Sequence, residues 1–215
     1  VLSAIMIVAC SAAAIVPAGP AAAHGGGVEV LYPATDPYLD LRVQEVTDTN
    51  DVLLAVEWSP TVSGTVTGVQ ICLDLSQQEV NPRLPLLAFL WSADGTLLTR
   101  GSASEGISFA APCFYQIGFC CQTRTVQANE HYVVGFWIRG GQYSYVPHGF
   151  DNDVSNAPAG HLNAPSNANS TIGSGNGLYV YADWSQVTDT NPPFPAESWE
   201  NSDYLVSPRF VPDQH

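Results

Sequence analysis

Three sets of residues have the types and spacing that could do chemistry. His24 follows Ala21-Ala22-Ala23. Cleavage there would make it the N-terminal residue. Its amine and ring nitrogen, joined by a second imidazole from His131, His148 or His161, would form the tetragonal nitrogen set that suits Cu(II). Asp151-Asn152-Asp153-Val154-Ser155-Asn156 sets the oxygens of Asp151, Asp153 and Ser155 at alternate positions, as a calcium loop does, but without the central Gly and later Glu of an EF-hand. Tyr143 and Tyr145 share one strand face, as do Tyr179 and Tyr181, and Trp184 and Trp199 stand in or beside loops. Tyr143, Tyr145, Trp184 and Trp199 are the candidate surface for stacking sugar rings, with Gln142, Asn152 and Asn156 available to hydroxyls. Sandwich cores also need aromatics, and Trp91 and Trp137, inside apolar strands, read as core.

No catalytic constellation emerges. Gly-x-Ser-x-Gly, HExxH and a phosphate loop are all missing from the sequence. Glu197 with Glu200, and Glu57 with Glu79, are the sort of acid pairs that glycoside cleavage uses, and they read as surface charges. Asn169-Ser170-Thr171 is a glycosylation sequon. Cys10 aside, the cysteines are Cys72, Cys113, Cys120 and Cys121. Neighbouring strand residues point to opposite faces and a bridge between them is strained. Cys120 and Cys121 are therefore each expected to pair with one of Cys72 and Cys113, giving two disulfides. No second CxxC or HxxxH completes a zinc set; no cofactor is expected, with calcium at Asp151, Asp153 and Ser155 as the alternative and copper only in the His24 reading.

The bulk numbers narrow the partners. The 215 residues carry a formal net charge of −14, with 20 acidic side chains against 6 basic ones, all arginine. Nucleic acid and anionic membranes are poor partners for such a chain. Residues 1–23 are free of charge and resemble the apolar part of a secretory signal with a small-residue cleavage site at Ala23. Ile7-Val8-Ala9-Cys10 also resembles a lipobox, and a retained segment would be an apolar assembly arm. Pro17 and Pro20 cut the run short of the roughly 20 residues that a membrane span needs. Cysteine usage agrees with export. The expected organisation is 1–23 signal-like segment or arm, 24–44 N-terminal extension and 45–212 a single domain, whose 46% hydrophobic content is ample for a core.

That domain reads as strands throughout. In Leu90-Trp91-Ser92-Ala93-Asp94-Gly95-Thr96-Leu97-Leu98, two apolar runs flank a turn in which Gly95 can take positive φ. Further strands are expected at 28–32, 52–58, 65–73, 86–91, 114–119, 131–138, 142–146, 178–181 and 204–211, with a bulge at Gly68. Residues 147–176, rich in Gly, Pro, Asn and Ser, read as a long functional or mobile loop. No amphipathic helix or repeat appears in the domain. About nine strands in a two-sheet antiparallel β-sandwich, Ig-like or jelly-roll-like, is the economical fold.

The ordered motifs Asp48-Thr49-Asn50, Ser63-Gly64-Thr65-Val66-Thr67-Gly68-Val69, the 90–98 hairpin, Asn129-Glu130-His131-Tyr132-Val133-Val134, Asn176-Gly177-Leu178-Tyr179-Val180-Tyr181, Phe194-Pro195 and Asn201-Ser202-Asp203-Tyr204-Leu205-Val206 resemble a family of extracellular bacterial β-sandwich domains of uncharacterised function. The resemblance covers roughly 45–212. It implies an accessory module of carbohydrate-active or cell-surface proteins and supplies no catalytic residues. Cys72, the insertion with Cys113, Cys120 and Cys121, and Ser207-Pro208 in the last strand depart from its pattern. The reading is an exported, non-enzymatic sandwich acting in structure, adhesion or filament assembly. The alternatives are carbohydrate binding or, through His24, a copper enzyme. The expected partners are a second copy or a cell-surface glycan.

Overall fold

The strand from Val52 to Trp58 has no wet face. Val52, Leu54, Val56 and Trp58 are buried toward one side, and Leu53, Ala55 and Glu57 toward the other. Such a strand has to lie in a sheet covered on both faces. The computed structural model describes residues 27–33, 44–47, 49–73, 86–103, 107–110, 113–119, 122–156, 160–187 and 191–213. The strands in them are β1 Gln44–Thr47, β2 Val52–Pro60, β3 Gly64–Cys72, β4 Leu87–Ser92, β5 Leu97–Ser102, β6 Ile107–Ala110, β7 Phe114–Gly118, β8 Arg124–Val126, β9 Tyr132–Ile138, β10 Gln142–Tyr145, β11 Val154–Ser155, β12 Leu162–Ala164, β13 Leu178–Tyr181, β14 Glu197–Ser198 and β15 Val206–Pro212.

These strands form an all-β sandwich of two antiparallel sheets. An eight-stranded sheet runs β11-β12-β2-β9-β4-β5. The edge of β2 away from β9 takes β12 along its C-terminal part and β13, with β14 beyond, along its N-terminal part. A five-stranded sheet runs β15-β3-β7-β6, with β8 continuing the β7 edge of β3. β1 and β10 form a separate ribbon. The register slips between Arg209 and Phe210 opposite Gly68 and Val66, which places the expected bulge in β3.

Between the sheets lies the main core, including Leu54, Trp58, Val66, Ile71, Phe114, Val134, Phe136 and Phe210. A second apolar layer covers the outer face of the larger sheet. There Leu53, Ala55, Phe89, Trp91, Val133 and Trp137 meet Ile172, Leu178, Ala182, Val187 and Phe194 from the second half of the chain. Trp91 and Trp137 are core residues, as expected. The 147–176 stretch, read as one long loop, contains β11 and β12 and supplies part of this cover.

The 90–98 hairpin forms as the sequence indicates, and local chemistry explains it. Ser92 Oγ and Thr96 N both donate to Asp94 Oδ1, at 2.6 and 3.0 Å, and Gly95 N donates to Ser92 O. The Ser92 hydroxyl, then the Thr96 amide, hold the Asp94 carboxyl below its ordinary range. Gly95 has φ 85°, and the Phe194 ring lies over it, 3.4 Å from where a Cβ would stand. Phe194 also meets Trp91 edge-on.

The cysteine expectation needs correction. Cys72 is bonded to Cys113, with 4.9 Å between Cα atoms, so neither is left for Cys120 or Cys121, which lie outside the described residues. The reason is register. Cys72 stands opposite Phe114, and Leu73 N donates to Cys113 O, so the antiparallel ladder itself brings the two cysteines side by side. Replacing both with alanine should lower the unfolding free energy by about 3–4 kcal/mol, since the bridge closes a loop of 41 residues. Denaturant titration checks this; an unchanged midpoint would show that the bridge contributes nothing.

Candidate functional site

Glu57 is the first surprise. Read as a surface charge, it is fully buried, because its strand is covered on both faces. Glu79, its expected companion, lies outside the described residues. A buried carboxylate persists only when its oxygens are hydrogen-bonded. Here Ser170 Oγ donates to Oε2, Thr171 Oγ1 donates to Oε1 at 2.6 Å, Thr171 N approaches both oxygens, and His131 Nδ1 lies 2.6 Å from Oε1. Asn176 clamps the Glu57 backbone, accepting from its N–H at 2.8 Å and donating to its carbonyl at 3.0 Å. The second and third residues of the sequon are thus pins that fasten the covering segment to β2. Asn169 is exposed and donates to Asp153.

The covering segment leads directly to an aromatic cluster. Residues 199–202 form a tight turn in which Glu200 and Asn201 have φ of 49° and 52°, and Ser202 N donates to Trp199 O at 2.9 Å. Two successive left-handed residues make this a type I′ turn, strained for side chains other than Gly, Asn or Asp. Asn201 Nδ2 donates to Asp151 Oδ1 at 2.7 Å, and Phe150 N donates to Asn201 O. Trp199, 44% exposed, leans on Tyr145 with ring centroids 5.8 Å apart. Tyr143 stands 6.5 Å from Tyr145 and 5.7 Å from Tyr204, and Tyr179 stands 5.7 Å from Tyr181, itself 51% exposed. Burial, then the neighbouring phenols of Tyr143, Tyr179, Tyr181 and Tyr145, push the Tyr204 hydroxyl well above its usual range. Burial and a hydrogen bond to Glu197 raise that of Tyr179.

Of the four aromatics expected to bind, the structure brings Tyr143, Tyr145 and Trp199 together and leaves Trp184 apart. Tyr145 is buried and serves as backing. Trp184, 50% exposed, stacks on Trp137 in the outer layer of the larger sheet, whereas Tyr143, Tyr145 and Tyr204 belong to the layer between the sheets. Tyr204 and Glu57 were not expected at the site. Tyr204 follows Asp203, whose pairing with Val146 lays it beside β10. The signal for Glu57 was its position inside an otherwise apolar strand.

Asp151, Asp153 and Ser155 each serve the loop. Asp151 accepts from Asn201, and Asp153 Oδ1 accepts from Ser166 N at 2.6 Å and from Asn169. Ser155 pairs with Asn163 across β11 and β12. The Ser166 amide, then the Asn169 side chain, hold the Asp153 carboxyl below its ordinary range. Among the described residues no group of three or more His, Cys, Asp or Glu is arranged to hold a metal ion. His24 lies outside the described residues. His131 faces Glu57, His148 lies 3.7 Å from Asp151, and His161 lies 2.7 Å from Glu29. Among the described residues no helix is long and apolar enough to cross a membrane.

The comparison with known families agrees with this architecture. The profile of a domain family of unknown function, DUF4082, matches residues 40–206. The chain belongs to that family. No curated protein matches the chain. The DUF4082 span stops at Val206, the first residue of β15, and begins after the described segment 27–33, yet both outlying pieces are built into the core. Glu29 pairs with Phe210, Leu31 N donates to Ser207 Oγ at 2.7 Å, and Tyr32 Oη donates to Asp203 Oδ2 at 2.6 Å.

Asp203 ties this strap to the aromatic cluster, and it is fully buried. Burial raises its pKa from 3.8 to about 6, against the opposing hydrogen bonds from Tyr32 and from Leu205 N. Because the folded value lies above the unfolded one, the native state binds the extra proton. The contribution of Asp203 is most favourable below pH 4 and is lost as pH rises through 6, by about 3 kcal/mol. Asp203→Asn keeps an acceptor for Leu205 N and removes the charge. The stability of the variant relative to wild type should therefore rise by about that amount between pH 4 and pH 8, measured by denaturant unfolding at both. A difference that is flat with pH would contradict the buried charge.

Proposed function

We propose that this domain is a non-catalytic glycan-binding module of an exported protein, acting in adhesion, and that the Trp199–Tyr181 face is its binding surface. The observation that carries the reading is Trp199 itself. A large indole is held half in solvent at the head of a strained turn and leans on the buried Tyr145, and the exposed Tyr181 ring, beside Tyr179, belongs to the group of phenols around Tyr204. Left-handed side-chain-bearing residues are retained where the surrounding structure gains from them, commonly at binding sites. His148, with φ 56°, is a further such residue, on the neighbouring loop that Asn201 touches through Asp151.

The chemistry fits a sugar better than other ligands. Apolar ring faces stack on the C–H face of a pyranose, and Glu197, Glu200 and Asp151 supply acceptors for hydroxyls. The segments meeting here, 142–151, 176–187 and 197–206, contain no Arg or Lys. A uronate, a sulfated glycan or a nucleic acid would find no counter-charge in them, so the reading is an uncharged polysaccharide. Export is consistent with the apolar segment 1–23 and the Cys72–Cys113 bridge.

A second reading, self-assembly through an N-terminal arm, draws on the Glu29–Phe210 pairing, where a segment preceding the family span adds to the outer edge of β15. The arm proper, residues 1–23, lies outside the described residues.

Titration calorimetry with neutral β-linked oligosaccharides, compared with uronate and sulfated oligosaccharides, tests the main reading. Trp199→Ala should weaken binding of a neutral glycan at least about tenfold, equivalent to ~1.4 kcal/mol, with the unfolding midpoint nearly unchanged. Silence of the wild type toward every neutral glycan, or full affinity in the variant, would overturn it.

A further inference from the structure

We infer that Glu57, buried in β2, is the positioning residue for Trp199. The inference deepens the glycan-binding reading and rests on it for its functional meaning.

The path from one residue to the other is continuous. The Glu57 carboxylate fastens Ser170 and Thr171, and its backbone fastens Asn176. Asn176 also donates to Pro165 O and accepts from Gly177 N, both at 2.8 Å, so the two ends of the segment 165–177 are drawn together over β2. That segment is the bed of the Trp199 turn. Ser198 Oγ donates to Asn176 O at 2.7 Å, Ser198 N donates to Ser174 Oγ at 2.9 Å, and Ser174 N donates to Ala196 O. Glycines allow backbone to lie directly on backbone at either end. A Cβ at Gly173 would stand 2.2 Å from Ala196 O, and one at Gly177 would stand 1.8 Å from Ser202 O. The segment 196–202, with Trp199 near its middle, therefore takes its height and tilt from 173–177, and 173–177 takes its place from Glu57.

The carboxylate suits this task because several donors converge on it. Ser170 and Thr171 belong to a polar stretch with little apolar area to bury, and Ile172 is the neighbouring side chain of that stretch in the outer layer. Without an acceptor at Glu57 the two hydroxyls and the Thr171 amide lose their shared partner, and the cost of leaving them unpaired favours lifting the segment into water. His131, the residue before β9, is about one-third exposed with Nδ1 2.6 Å from Oε1, and closes the ring of partners. A loosened bed leaves Trp199 present but free to reorient, and ordering it again on binding reduces affinity.

The experiment labels the full chain with 5-fluorotryptophan, whose five fluorine signals report Trp58, Trp91, Trp137, Trp184 and Trp199 separately, with Trp199→Phe assigning the last. Glu57→Ala should shift or broaden the Trp199 signal, leave that of Trp184 in place, and weaken neutral-glycan binding at least about tenfold. Glu57→Gln, which keeps an acceptor, should recover part of both. Should Glu57→Ala fail to fold, Thr171→Val and Ser170→Ala each remove one donor and should move the Trp199 signal in the same direction by less. An unperturbed Trp199 signal in the folded variants, whatever their loss of stability, would overturn the inference and reduce Glu57 to a structural residue. A wild type that binds no glycan would overturn the proposed function alone, because the fluorine signals still decide whether Glu57 sets Trp199.

Discussion

The larger sheet has two apolar faces, and the rest of the molecule is arranged around that fact. β2, β9 and β4 send side chains in both directions, and the five-stranded sheet can cover only one side. The other side is covered by Leu178 of β13, at the sheet's own edge, and by irregular chain that contributes Ile172, Ala182, Val187 and Phe194. Burying apolar area of this kind is worth about 25 cal/mol per Å², enough to hold an irregular layer in place if its backbone polar groups find partners. Those partners are where Glu57 and Asn176 enter. They stand at the boundary between sheet and cover, and satisfy a stretch rich in Asn, Ser and Gly that has little apolar surface of its own.

Structure and candidate function meet in this covering layer. Its glycines permit backbone contacts that no side chain would allow, and the turn that follows carries two left-handed residues in succession. The aromatic rings of β10, β13 and residues 199–204 then gather where the cover meets the end of the sandwich. Tyr145 and Tyr204 fill the interior and Trp199 and Tyr181 face water, so one cluster closes the core and presents a surface. The buried Asp203 fixes the underside of the same cluster to the strap at Tyr32. Two buried acids thus hold the surroundings of the site, one fastening the cover and one the strap.

Much of the fold was legible because it rests on local rules. The 90–98 hairpin, the strands of the sheets and the bulge near Gly68 follow from alternation, turn chemistry and glycine placement, which act over a few residues. The short strands β1, β6, β8, β11, β12 and β14 were missed because they are formed by what lies next to them. Leu162-Asn163-Ala164 has little strand pattern of its own and becomes a strand because Pro60 and Ser59 offer an edge. The site was legible only in its residue types. Tyr143, Tyr145 and Trp199 were singled out as aromatics that could stack. Trp184 was grouped with them although it lies in the other apolar layer, because its position in the sequence does not tell which layer a loop residue joins.

By itself, the sequence determined an all-β class, a membership that spans 40–206, an acidic surface without lysine and the set of aromatics available for binding. These depend on composition and on the period of two that every strand obeys. Only the tertiary structure decided that Cys72 takes Cys113, that Glu57 is an interior anchor instead of a surface charge, and that Trp199 shares a cluster with Tyr145 while Trp184 does not. Each of those is a relation between segments far apart in sequence, set by which edges pair and which faces must be covered. The same carboxylate, hydroxyl or indole reads differently once that cover is in place, because burial changes what a polar group requires of its neighbours.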